Sequence, residues 1–492
     1  MSLQDELNLE SALFTTRRHF LKQCSSGIGM MALGTLFGGC GTGEKPAEAG
    51  PELNPFAVRP SHFAGKAKSV IFLHMCGSPS QLELWDYKPE LAKLDGKPCP
   101  PSFLEGKKFA FIRGVPDMLA SVGQFKQHGE SGAWLSDYFQ HLPSVADEIS
   151  FLKAMYTDQF NHAPAQLLMH TGGARLGRPS MGSWVTYGLG SESDNLPGFV
   201  VLTSGGKTPD AGKSIWGSGF LPSVYQGVQC RSEGEPVLFL SDPAGLDRDL
   251  RKKTIDALTE VNRQQYEEFK DPETLARISQ YEMAFKMQVS VPEVMDISKE
   301  PAYIHELYGT EPGKSSFANN CLLARKLVEK GVRFVQLYDW GWDTHGDGEG
   351  TSLEIGLRRK TKQIDQPITA LLMDLKQRGM LDETLLVWGT EFGRTPMQEN
   401  RNGKKMPFKG RDHHTDAFTC WMAGGGIRRG YSHGESDEFG YFGLKGRTHI
   451  HDLQATILHQ LGFDHERLTY DFQGRNYRLT DVAGKVIREV IA

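Results

Sequence analysis

Apolar residues along this chain recur with two periods. Short runs in which almost every position is apolar include "KSVIFLHM" (68–75), "EISFLKAM" (148–155), "GFVVLTS" (198–204), "VRFVQLYD" (332–339), "TLLVWGT" (384–390) and "FTCWMAGG" (418–425). They predict buried β-strands, because a strand covered on both faces needs no polar alternation. Between them the period lengthens. In "FANNCLLARKLVEKG" the residues Cys321, Leu322, Ala324, Leu327 and Val328 return at helical spacing, and "IDQPITALLMDLKQRG" stands between the next two strands as a further helix. Strand and helix in alternation predict an α/β fold, a parallel sheet with helices on both faces. A polar helical stretch, "DRDLRKKTIDALTEVNRQQYEEF", breaks the alternation and predicts a helical insertion near residues 245–300.

The N-terminus follows neither pattern. "TTRRHFLK" sets Arg17 and Arg18 ahead of a weakly apolar, glycine-rich run, "SSGIGMMALGTLFGG", which is too short and too rich in glycine to span a bilayer stably. Residues 1–40 therefore read as a twin-arginine export signal. Cys40 closes this run in "LFGGC", either as a lipid-bearing cysteine or beside an ordinary cleavage point. Residues 41–60, rich in Gly, Pro, Ala and Glu, read as a flexible tether. The folded domain is then expected over 61–492, in the periplasm or at the cell surface. The twin-arginine translocase is the partner during export, and a lipid on Cys40 is the one expected link to a membrane.

Charge and cysteine usage narrow the function. A formal net charge of −5 with interspersed signs offers no basic stripe, so nucleic acid is not an expected partner. Cys76, Cys99, Cys230, Cys321 and Cys420 are irregularly spaced, which fits neither a disulfide framework nor a zinc ribbon.

In a parallel sheet, ligands sit where loops leave the carboxyl ends of the strands. Three such loops carry reactive side chains here. "YDWGWDTHGD" holds Asp339, Asp343, His345 and Asp347; "EFGRTP" holds Glu391 and Arg394; "GRDHH" holds Arg411, Asp412, His413 and His414. Carboxylates mixed with imidazoles suit a divalent metal, with zinc, manganese or calcium as candidates and the first two the better match to nitrogen donors. The expected ligands are Asp343, His345, Glu391, Asp412 and His413, with His414 as the alternative to His413. Arg394 or Arg411 would hold an anion in a bidentate fork, and a metal beside an arginine is equipment for phosphate or sulfate esters. Each motif also has a plain structural reading: a turn capped by its Asp, an ion pair between Glu391 and an arginine, a packed His414. Trp340, Trp342 and Trp421 either line a sugar-binding groove or belong to the core.

Longer motifs add a family likeness. "FLHMCGSPSQLELWDYKPEL", "FKQHGESGAWLSDYFQHL", "FNHAPAQLLMHTGGARLGRPSMGSWVTYGLG", "WDTHGD", "TEFGRTP", "GRDHH" and "HDLQATILHQLGFDHERLTYDFQGRNYRLTDV" together resemble the domain of unknown function 1501 family, a sulfatase-like group within the alkaline phosphatase superfamily. The resemblance covers nearly everything after the tether and implies an α/β/α sandwich with a mostly parallel central sheet. It also implies roles. "WGTEFGR" is similar to a superfamily metal motif, with Glu391 at the Asp place and Phe392 where a His ligand would stand. "HAPAQLLMHTG" is similar to the nucleophile segment but puts His162 at the nucleophile position, so formylglycine chemistry is excluded. His162 is left as a phosphoryl acceptor, a metal ligand or a general base. The resulting expectation is an exported metal-dependent hydrolase acting on an anionic small molecule or polysaccharide, with His162, Arg394 and Arg411 as catalytic candidates. The alternative is a catalytically degenerate surface protein of the same fold.

Overall fold

The computed structural model describes residues 54–231, 236–237, 247–401 and 403–492; the expected export signal over 1–40, Cys40 and most of the expected tether over 41–60 lie outside the described residues. The last part of the tether is fastened down rather than free: Arg59 bonds the carbonyls of Leu189 and Tyr187.

The main sheet is built from β1 (Ser69–Cys76), β2 (Ile149–Tyr156), β3 (Phe199–Ser204), β4 (Val228–Cys230), β5 (Phe334–Trp340), β6 (Thr384–Gly389), β7 (Phe418–Ala423), β8 (Tyr431–His433) and β9 (Thr448–His449). Its order is β8-β2-β7-β6-β1-β5-β3-β4, with β9 also on β2. β1 sits centrally and runs parallel to β5 and β6, in registers Leu73↔Leu337 and Leu73↔Trp388. β7 runs antiparallel to both β6 and β2. Regular alternation would have made it parallel. The difference has a simple cause: the described residues between β6 and β7 contain no helix, and a chain that returns without a crossover must run back along its neighbour.

Seven helices matter for the site and the core: α1 (His162–Thr171), α2 (Met181–Leu189), α3 (Arg248–Phe269), α4 (Pro272–Met295), α5 (Phe317–Glu329), α6 (Arg358–Gln377) and α7 (Ile450–Gln460). Strand alternation sorts the core into two layers. Ile71, Leu73, Met75, Val335, Leu337 and Leu386 face α5 and α6, where Leu322, Leu327, Ile368 and Leu371 meet them. Val70, Phe72, Phe334, Leu385 and Val387 face the other way, against Leu168, Trp184 and Leu458 of α1, α2 and α7. Helices on both faces of a mostly parallel sheet make the expected sandwich. The insertion is α3 and α4, whose N-termini are capped by Asp247 and Asp271.

α1 carries His162 at its first position, so its placement matters. It ends at Gly172 with φ 67°, where a Cβ would come to 1.6 Å from the Leu479 carbonyl oxygen. Glycine is required there on both counts.

Candidate metal centre

The loops after β1, β5 and β6 converge at the carboxyl end of the sheet, as the topology requires. There Gly393–Arg394 pairs antiparallel with His413–His414. Extended backbone sends adjacent side chains to opposite sides. His413 consequently turns towards Asp343, whereas His414 stacks on Tyr441 and bonds the Tyr441 carbonyl at 2.5 Å. The pleat thus gives the two histidines different surroundings.

Asp343 is the hub. Its Oδ1 lies 2.8 Å from His345 Nε2 and 3.4 Å from the Nε2 atoms of both His162 and His413, and it also contacts the Arg394 guanidinium. A third of the Asp343 side chain is open to solvent, so the hub is reachable. Burial pushes its carboxyl up, but the Arg394 charge and the three imidazoles outweigh this and hold it well below the usual range.

The two imidazoles at 3.4 Å differ. His413 Nδ1 faces the Phe160 carbonyl at 2.7 Å, and a carbonyl only accepts, so Nδ1 carries the proton and Nε2 presents a lone pair. Burial, with Arg394 and His162 nearby, pushes His413 down to about 4, so the neutral form is the one held. Its Nε2 is buried without a hydrogen-bond partner. A lone pair aimed at a carboxylate oxygen is repulsive unless a cation lies between them. His162 directs Nδ1 at Glu391 Oε1, 2.8 Å away, and its Nε2 is likewise buried and unpartnered. Burial lowers its affinity for a proton, yet the neighbouring carboxylates of Asp343 and Glu391 raise it to about 9. Without a metal, a proton therefore fills the place a cation would take.

Donor atoms of His162, Asp343 and His413 all lie within 4.8 Å of one another. Two imidazole nitrogens and a carboxylate oxygen form the donor set of zinc and related transition ions, and two orphaned buried nitrogens are what such an ion would satisfy. The residues present fit. His345, Glu399 and Asp412 form a second group of similar spacing, but its donors are engaged. His345 bonds Glu399 through Nδ1, Glu399 Oε1 accepts from Arg401 at 2.7 Å, and Asp412 accepts from the amides of Phe111, Ile112 and His413.

Several of the expected site residues carry contacts that hold the fold together. Glu391 is fully buried, and its oxygens are taken by His162, the Gly77 amide, Gln166 and Thr390, with His74 Nε2 3.2 Å away; it orients His162 rather than offering a free ligand atom. Asp412 fastens the 111–112 segment to the site, and His345 braces Asp343. Arg394 is fully buried and donates to the carbonyls of Gly77, Ser78 and Arg411 besides Asp343. Arg411 is fully buried too, forked onto Glu83 at 2.6 Å and bonded to the carbonyls of Leu119, Thr395 and Ala120. Neither guanidinium is free for an anion, because both are committed to holding loops together. Trp342 and Trp421 are fully buried, which removes them from any groove. Phe392, at the place of a His ligand, supplies an apolar floor with ring centres 4.9 Å from His162 and 4.5 Å from His413.

Sequence reasoning missed Glu399, Glu83, Gln166 and Phe111. Glu399 follows Pro396 in an aperiodic loop, and Glu83 looks like an ordinary helix-surface acid; nothing local signals that either is buried.

No curated protein matches the chain. Among solved structures, the PsFucS1 sulfatase from Pseudoalteromonas sp. overlaps at a TM-score of 0.37 and 13% identity, over 81% of this chain and 68% of its own. Alkaline phosphatase from the Antarctic bacterium TAB5 overlaps at 0.30 and 11%, over 81% and 97%. An alkaline phosphatase superfamily protein from Vibrio parahaemolyticus overlaps at 0.32 and 11%, over 85% and 72%. At these scores the overlaps carry no inference about chemistry. The family model described as "Protein of unknown function (DUF1501)" matches residues 67–491, and the chain belongs to that family.

Proposed function

We propose that this protein is an exported metal-dependent hydrolase of phosphate or sulfate esters, with His162, Asp343 and His413 as ligands of one divalent ion. The observation that carries the reading is the buried, unpartnered Nε2 lone pair of His413, aimed at Asp343 Oδ1 from 3.4 Å. When bound, zinc or a similar ion supplies Lewis-acid stabilisation of the charge that develops on ester oxygens. Three protein donors leave coordination positions for substrate, and the exposed flank of Asp343 gives access.

The chain's own residues then have defined tasks. Glu391 holds the Nδ1 proton of His162 and so keeps Nε2 pointed at the ion. Phe160 does the same for His413 through its carbonyl. Arg394 fixes Asp343 from behind and ties it to the Gly77–Ser78 turn after β1. Phe392 keeps water from beneath the two imidazoles.

A second reading, a surface-binding protein with the same metal and no turnover, draws support from the full commitment of Arg394 and Arg411 to the fold. One experiment separates the two. Elemental analysis of the purified protein, with a screen of phosphate and sulfate esters in added zinc or manganese, should give about one metal per chain and turnover that is lost in His413→Ala. Metal without turnover selects the second reading, and metal content unchanged by His413→Ala removes the centre from both.

A further inference from the structure

One guanidinium beside this centre is committed to the fold only through its Nε. Arg401 gives Nε to Glu399 Oε1 at 2.7 Å, and its Nη1 and Nη2 have no partner among the described residues. Its guanidinium carbon lies 4.5 Å from the centre of the Phe111 ring. Phe111 in turn meets His345 and His413 in T-shaped contacts, ring centres 4.8 and 5.6 Å apart. Both side chains reach solvent, Phe111 being 37% exposed and the Arg401 side chain 37%.

The setting is cationic. Asn400–Arg401 pairs with Lys404–Lys405, and the Arg113 amide is fastened to Asn400 Oδ1 at 3.0 Å. Lys404 and Arg113 are exposed and have no carboxylate partner among the described residues, while Lys405 is paired with Asp117. A guanidinium with both Nη atoms open, over a half-exposed aromatic ring, is equipment for a flat ring that bears an anion.

We propose that Phe111 and Arg401 form a second binding subsite beside the His162, Asp343 and His413 centre, and that it takes a ring carrying a negative charge. The favoured ester is then one attached to a ring with a second anionic group. Its position next to the reacting ester rests on the metal-centre reading; recognition of ring and charge does not. The Phe111 ring bridges the two sites, so one ring with two substituents spans them.

The test is calorimetric binding to the full protein with added zinc, using phenyl phosphate against 4-carboxyphenyl phosphate, and glucose 1-phosphate against glucuronic acid 1-phosphate. The carboxylate should tighten binding about tenfold in at least one pair, and the pair that responds tells whether the ring is aromatic or a sugar. Raising the salt should shrink the gain. Arg401→Gln keeps a donor for Glu399 yet should erase the gain, so that the carboxylated and plain members of each pair bind alike; Arg401→Lys should restore part of it. Equal binding within both pairs overturns the subsite, as does an Arg401→Gln loss that is the same for phenyl phosphate and its carboxylated analogue. If the carboxylated probe binds through Arg401 while phenyl phosphate fails with and without zinc, the subsite stands and the metal centre falls. Failure of every probe to bind overturns both.

Discussion

Replacing Glu83 by Gln puts the structural role of Arg411 to a quantitative test. Both side chains are fully buried, and the carboxylate takes the guanidinium in a fork with Nη2 to Oε1 at 2.6 Å and Nε to Oε2 at 3.1 Å. Glu83→Gln keeps the shape but leaves the Arg411 charge without its counter-charge, and breaking a buried pair in this way costs about 3–5 kcal/mol. With an unfolding entropy of about 2.1 cal/mol/K per residue, a domain of about 430 residues converts that loss into a fall in Tm of roughly 3–6 °C. The double variant Glu83→Leu, Arg411→Met removes both charges and would be nearly neutral if the pair were the whole interaction. Here it should recover only in part. Arg411 also satisfies the carbonyls of Leu119, Thr395 and Ala120, and buried groups left unmet cost about 1–3 kcal/mol each. Thermal unfolding followed by circular dichroism and calorimetry measures both variants. A Glu83→Gln protein that melts within 1 °C of the parent would refute the structural role and return Arg411 to the list of anion-binding candidates.

Two further outcomes are expected. Burial, helped by the neighbouring His74, pushes His170 well below the ordinary histidine range, so the unfolded chain binds its proton first; stability is full above about pH 6.5 and falls as pH drops below it, by up to about 1.4 kcal/mol per unit for this group. Melting curves between pH 7.5 and 5 should therefore be shallower for His170→Gln than for the parent, and parallel curves would remove His170 from the acid response. Replacing Arg17 and Arg18 together by Lys should leave the protein in the cytoplasm, read by fractionation; undiminished export would mean another route.

The sheet was legible because its strands are buried on both faces and carry nearly unbroken apolar runs, β1 and β6 above all. The direction of β7 was not, since an apolar run has no polarity along the chain and only the missing helix between Gly389 and Phe418 distinguishes a return from a crossover. At the site, Asp343, His162 and His413 were legible as polar residues at strand or helix ends. Their division of labour was not. Whether a buried arginine holds a substrate or three carbonyls depends on partners such as Glu83 and Leu119, hundreds of positions away in sequence, and spacing near Arg411 carries no trace of them.

The antiparallel return of β7 bears on how such a protein diversifies. Because residues 390–417 leave β6 and re-enter beside it, with Trp421 opposite Trp388, their two ends are fixed by one ladder and no helix has to be repacked when the segment between them changes. That single excursion carries Glu391, Arg394, Glu399, Arg401, Arg411 and His413. Insertions around its tip, near Arg401 and Lys404, can therefore reshape the surface beside His413 while the strand pairing that folds the domain stays as it is, which makes this excursion the place where relatives should differ most in length.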